Sequence, residues 1–188
     1  TGPGEIFEGK TGFNRVFCDS DYKSDFSLLS AGLGETYAIE DITVKPCSAC
    51  GVLHSVVDCL DEMSASPLFT KDFDKVEKIV IRSHHNMIDQ HMERHPKTVM
   101  QGQYSCPFTV GVYMEGDIRD ATPYLDNSII HQENILRWGE KVEAVLTEEY
   151  DAAFPARFGA GVDYVLKSGE VLSAECKTPK GSGERQFT

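Results

Sequence analysis

Apolar positions along the chain recur with two periods, and each period predicts an element. Residues 52–63, VLHSVVDCLDEM, are apolar at 52, 53, 56, 57 and 60, the one-face spacing of an amphipathic helix. Residues 37–44, YAIEDITV, alternate toward a β-branched end and predict a strand, and residues 75–83, KVEKIVIRS, predict a second. Residues 104–114 form an apolar run long enough for a buried helix, although periodicity alone leaves a strand open. ENILRWGEKV at 133–142 predicts a helix, and VEAVLTEEY at 142–150 a strand. Residues 161–177 read as two alternating strands around Lys167-Ser168-Gly169-Glu170, a hairpin signal. The polar, histidine-bearing segment 84–97 reads as a solvated loop. Residues 1–36, rich in Gly, Ser, Thr and Asp, read as a partly irregular arm with one short helix near 21–33. The expected order over 37–188 is β-α-β-α-α-β-β-β. That is one α+β domain, a two-layer sandwich of a mixed β-sheet with helices packed on one face.

Composition changes this picture little but narrows the function. A chain of 188 residues suits one domain, or a domain with an arm. It buries roughly 70% of its unfolded surface, so no disulfide or metal is needed to hold a core. Six cysteines, Cys18, Cys47, Cys50, Cys59, Cys106 and Cys176, are too sparse for a disulfide scaffold and read as reduced thiols of a cytoplasmic protein. No apolar run approaches the roughly 20 residues of a membrane span, and TGPGEIFEGK lacks the basic-then-apolar shape of a signal peptide. A net charge of −12 speaks against nucleic acid as a partner, because phosphate contacts need a basic surface. It leaves room for a small anion held by one or two local cations.

The chemistry concentrates in KPCSACGVLHSVVDC, residues 45–59. A zinc site would draw on Cys47, Cys50, His54 and Cys59. On a helix, however, Cys59 lies about 180° from Cys50, and no second ligand pair follows. A thioredoxin-like thiol pair at a helix start is the second reading, but the order of elements that follows is not thioredoxin-like. His91 and His95 are four apart, yet HMERH has its glutamate in the wrong place for a zinc protease. There is no GxSxG elbow and no phosphate-binding glycine loop. What remains is Lys45 at a strand end, with Cys50, His54 and Asp58 at four-residue spacing on one side of the entering helix. Such a junction suits a carboxylate held by point charge, with His54 moving a proton and Asp58 orienting it. The same residues also fit a buried thiol, a capping His–Asp pair and a solvated lysine.

ITVKPCSACGVLHSVVDCL (42–60) resembles the signature of the MmgE/PrpD family, which includes 2-methylcitrate dehydratase, cis-aconitate decarboxylase and iminodisuccinate epimerase. Its pattern is a strand ending in Lys, a Pro/Cys-rich turn, Cys or His, a His four residues on, then Asp along the helix. TGPGEIFEGKTGF (1–13), QGQYSCPFTVGVYMEGD (101–117) and VDYVLKSGEVLSAECKTPKGSGERQFT (162–188) resemble further family segments in the same order. The resemblance implies the smaller α+β lid domain of a cofactor-independent lyase or isomerase, with no metal, acting on a small di- or tricarboxylate. A 2-methylcitrate dehydratase-like hydro-lyase comes first, with an epimerase, a decarboxylase, or a metal- or thiol-dependent module centred on Cys47 and Cys50 as alternatives.

It further implies that Cys50 and His54 are catalytic and that Lys45, Gln103, Ser105 and Lys180 bind substrate. In the family the active site lies between two domains. The chain is therefore expected to be inert without a large helical domain that supplies the remaining acid/base groups, and the full-length enzyme is expected to be a homodimer. Three positions depart from the family pattern. Cys50 stands where decarboxylase-like members have His, Gly51 where an Arg is common, and Phe108 where several have Tyr; together they weigh against the decarboxylase.

Overall fold

The computed structural model describes residues 4–18, 25–182 and 185–187, and the chain divides into two units, 1–40 and 41–188. In the larger unit the sheet is built on β1 (Val76–Ser83), whose alternating side chains bury Ile79, Ile81 and Ser83 on one face. It lies between β2 (Val142–Leu146), parallel with Ile79 opposite Val142, and β3 (Ala160–Leu166), antiparallel with Ile81 opposite Val162. β4 (Val171–Cys176) closes the order β2-β1-β3-β4 by pairing antiparallel with β3. A parallel pair needs a long crossover. Residues 84–141 supply it with α3 (His85–Gln90), α4 (Val99–Gln103), α5 (Cys106–Glu115) and α6 (Glu133–Gly139).

The two faces of the sheet separate by chemistry. One buries Val142, Ile79, Ile81, Val162, Tyr164 and Ala174 against the helices, with α2 (His54–Ser64) on β3 and β4 and α5 against β2. The other carries ion pairs: Arg82 with Asp163 at 3.0 Å and Glu175 at 2.9 Å, and Lys78 with Glu143 at 3.0 Å. The fold is α+β with a mixed sheet, as the periodicities predict. The turn at 167–170 closes the predicted hairpin, with Gly169 at φ +100° and the Leu166 amide donating to the Glu170 carbonyl.

The expected strand at 37–44 does not form. Ala38–Asp41 is a 3₁₀ turn, and Ile39, Ile42 and Val44 are exposed, because no neighbouring strand pairs with this segment among the described residues. Alternation gives a strand only where a ladder partner exists. The strand expected over 142–150 ends at Leu146, and α7 (Glu148–Ala153) follows. Glu148, Glu149 and Asp151 in its first turn suit the positive end of a helix dipole. The supposed solvated loop at 84–97 is partly helical. His84 caps α3 by accepting from the Met87 amide at 3.2 Å, and both His84 and His91 are buried.

α5 is buried from Cys106 to Met114 on all sides, which is why its sequence shows no face. In the unit 1–40, Phe13–Phe17 (α1) is one short helix whose two phenylalanine rings lie 4.8 Å apart. The helix expected near 21–33 lies partly outside the described residues, and Phe26–Leu29 is a 3₁₀ turn.

Candidate active site

Three backbone hydrogen bonds fix the turn that leads into α2. The Val44 amide donates to Gly181, the Ala49 amide to Cys47, and the Cys50 amide to Gln103 at the end of α4. A 3₁₀ turn, Gly51–Leu53, then hands the chain to α2 at His54. The turn is therefore stitched to α4 on one side and to the 178–182 loop on the other. Gly181 permits the second contact: its φ is +87°, and a Cβ there would sit 2.0 Å from the Val44 carbonyl oxygen.

His54 is 3% exposed, and its Nε2 lies 3.2 Å from the Ala49 carbonyl and 3.8 Å from Cys47 Sγ. A carbonyl oxygen only accepts, so Nε2 carries the proton and Nδ1 is the ring nitrogen left basic. Burial holds His54 below its usual pKa, with the charge of Lys45 acting in the same direction and the Ala49 hydrogen bond opposing. Burial pushes the Cys47 thiol up to about 11. Imidazole and thiol are both neutral at pH 7, so the pair is not a thiolate–imidazolium couple.

Lys45 is exposed and stands as a rib between two clefts. One, of about 250 Å³, is lined by Lys45, Cys47, Cys50, Gln103 and Tyr104 among others. The second, of about 190 Å³, is lined by Lys45, His54, Arg157, Thr178 and Ser182 among others. No carboxylate lines either cleft among the described residues, although the chain has 30 acidic residues against 18 basic. The arrangement offers a small anion one shared ammonium group, hydroxyls and a neutral imidazole, in surroundings that do not repel it.

The structure thus gathers Lys45, Cys50 and Gln103 around the first cleft, and Lys45 and His54 around the second. The exposed side chain of Lys180 rises from the 178–182 loop that borders the second cleft. Ser105 stands apart. It is buried and caps α5, accepting from the Phe108 amide at 3.0 Å and donating to the Glu93 carbonyl. Its hydroxyl is spent on the fold. Phe108 is likewise core, packed where a Cβ on Gly102 would meet its ring at 2.9 Å.

Asp58 does not orient His54. Its Oδ2 accepts from the Lys180 amide at 2.8 Å and from Arg185 Nη1 at 3.0 Å, so it anchors the C-terminal loop. Cys50 precedes the 3₁₀ turn rather than sitting on the helix, and the thiol that contacts His54 is that of Cys47. Cys59 faces the sheet, donating to the Ala160 carbonyl at 3.6 Å. Among the described residues no three His, Cys, Asp or Glu side chains converge as a metal's ligands would.

Sequence reasoning weighed Cys47 only as part of a metal- or thiol-dependent module; its place in the turn before His54 was a signal, but the spacing favoured Cys50 as the neighbour of His54. Arg157 was passed over and had no signal, since it enters the second cleft from a segment about a hundred residues away in sequence. Among the described residues no helix is long and apolar enough to cross a membrane. In comparison with known proteins, the family model of the MmgE/PrpD C-terminal domain matches residues 47–188, beginning two residues after Lys45. No curated protein matches the chain.

Proposed function

The chain belongs to the MmgE/PrpD family, as its C-terminal domain, and from that premise we propose that it forms one wall of a lyase or isomerase active site for a small di- or tricarboxylate. Within that class the reading is a 2-methylcitrate dehydratase-like hydro-lyase, with the opposite wall supplied by the enzyme's helical domain. Lys45 holds a substrate carboxylate and draws charge toward it as the adjacent carbon loses a proton. His54 Nδ1 takes that proton, and the electron pair left behind forms the double bond as the hydroxyl departs. The acid that protonates the leaving hydroxyl comes from the helical domain. Gln103 and the thiol of Cys50 line the adjoining cleft, where they meet the rest of the substrate, and Lys180 adds a second cation at the rim. The complete enzyme is a homodimer in this reading.

The observation that carries the proposal is His54 itself: neutral, fixed in one tautomer, and sharing with Lys45 a cleft that no carboxylate lines among the described residues. A histidine that acts as base on a carbon acid must be neutral near pH 7 and works best with a cation on the substrate carboxylate, and His54 and Lys45 are suited to those two roles. The test assays a two-domain protein carrying this domain against 2-methylcitrate, citrate and iminodisuccinate. Dehydration of 2-methylcitrate is expected, with the other two acids slower. Turnover of none of the three would overturn the reading, and preference for iminodisuccinate would move it to an epimerase.

A further inference from the structure

Cys47 is the part of the opening motif that the proposed chemistry does not use, yet it is the side chain that touches His54. The Cys47 carbonyl accepts from the Ala49 amide at 2.9 Å, closing a three-residue turn. That one turn delivers two groups to the same ring nitrogen: the Ala49 carbonyl at 3.2 Å from Nε2 and the Cys47 sulfur at 3.8 Å. Cys47 is 7% exposed and His54 3%, so the sulfur also keeps water away from this side of the ring.

We infer that Cys47 is a positioning residue: its sulfur and the Ala49 carbonyl hold the ring of His54 as the Nε2–H tautomer, leaving Nδ1 as the proton-accepting atom. This rests on the reading of His54 as the proton carrier, and it adds which atom carries the proton and what keeps it there. Chemistry favours a thiol here over an alcohol. A thiol is a weak donor and a weak acceptor, so it packs against Nε2–H without competing for the ring's lone pair. A serine hydroxyl is a far better donor. It can also accept from Nε2–H, but a hydroxyl that donates to Nε2 draws the ring toward the Nδ1–H tautomer and moves the basic lone pair from Nδ1 to Nε2. Burial keeps the Cys47 thiol protonated at pH 7, so it does not convert the ring to imidazolium. Sulfur is also large enough to fill the space that an alanine would leave to water.

Nitrogen-15 NMR of the imidazole reads the tautomer directly, and it is applied to the chain at pH 7.5. The wild type is expected to show Nε2 protonated and Nδ1 bare. Cys47→Ser is expected to shift the tautomer ratio roughly tenfold toward Nδ1–H, the scale of one net hydrogen bond. Cys47→Ala is expected to shift it less and in the same direction, as water reaches Nε2. The indole N–H signal of Trp138, which donates to Glu115, confirms that both variants are folded. In the two-domain protein Cys47→Ser is expected to lower kcat roughly in proportion, with KM within about twofold. A wild-type ring protonated at Nδ1 would overturn the inference, as would a tautomer unchanged in both variants. Should the tautomers behave as stated in a protein that turns over none of the three acids, Cys47 keeps its positioning role and the proton-carrier reading alone fails.

Discussion

His54 and Lys45 line one cleft but differ in kind: one is buried and neutral, the other exposed and charged. Their substitutions should therefore separate. Lys45→Met is expected to raise KM about tenfold or more in the two-domain protein, the scale of a charge-assisted hydrogen bond to a carboxylate, as steady-state kinetics would show. His54→Gln removes the base and is expected to lower kcat by about 10² to 10⁴, with substrate binding largely kept. A pH dependence of stability follows from burial of His54 and His84, both held below the ordinary histidine pKa mainly by desolvation. A folded value below the unfolded one, about 6.5, means that the unfolded chain binds protons more readily. The stability is fully present above about 6.5 and is lost as pH falls through the folded values. Urea midpoints should drop between pH 7.5 and 5.5, and His84→Asn, which keeps a capping oxygen, should flatten part of that drop. The sequence made Lys45 and His54 legible because both belong to one local junction. It misjudged the thiol because residues 51–53 are 3₁₀, at about 120° per residue, so the helical phase of α2 does not extend back to Cys50. Asp58 had the spacing of a partner to His54, but its actual partners, Lys180 and Arg185, lie more than a hundred residues away, beyond any periodicity.

The elements hold the site through a few close approaches. Asp58 on α2 ties down the loop that carries Lys180, so Asp58→Asn should speed hydrogen exchange of the Lys180 amide and leave the tautomer of His54 unchanged. An aspartate that oriented the histidine would give the opposite pattern. α5 reaches the core through Gly111, where a Cβ would lie 2.3 Å from the Ile135 carbonyl oxygen of α6. Gly111→Ala is expected to cost about 3 kcal/mol, since two helices must separate, measurable as a lower denaturant midpoint. β1, α2, α6 and the closing hairpin were legible because each has a face that water sees and a face that it does not. α5 was ambiguous because every side is buried, and 37–44 was misread because a strand also needs a neighbour. The His84–His91 stretch looked solvated by composition; packing against Phe154 and the Tyr104 carbonyl makes it part of the scaffold instead.

At the scale of the molecule the charge distribution matters most. A chain of net charge −12 keeps the carboxylates of its described residues out of the two clefts that share Lys45. Local chemistry there is thus opposite to the whole, as a site for a carboxylate substrate requires. Residues 47–188 match the family's C-terminal domain, and in the proposed reading that domain contributes one side of a shared site. The central claim is that the chemistry needs both sides and passes through His54. Turnover of 2-methylcitrate tests it most directly, measured for the 188-residue chain alone, for the two-domain protein, and for its His54→Gln variant. The account predicts no detectable product from the chain, dehydration by the two-domain protein, and a loss of at least about 10²-fold in the variant. Turnover by the chain alone, or a His54→Gln enzyme as fast as the parent, would contradict it.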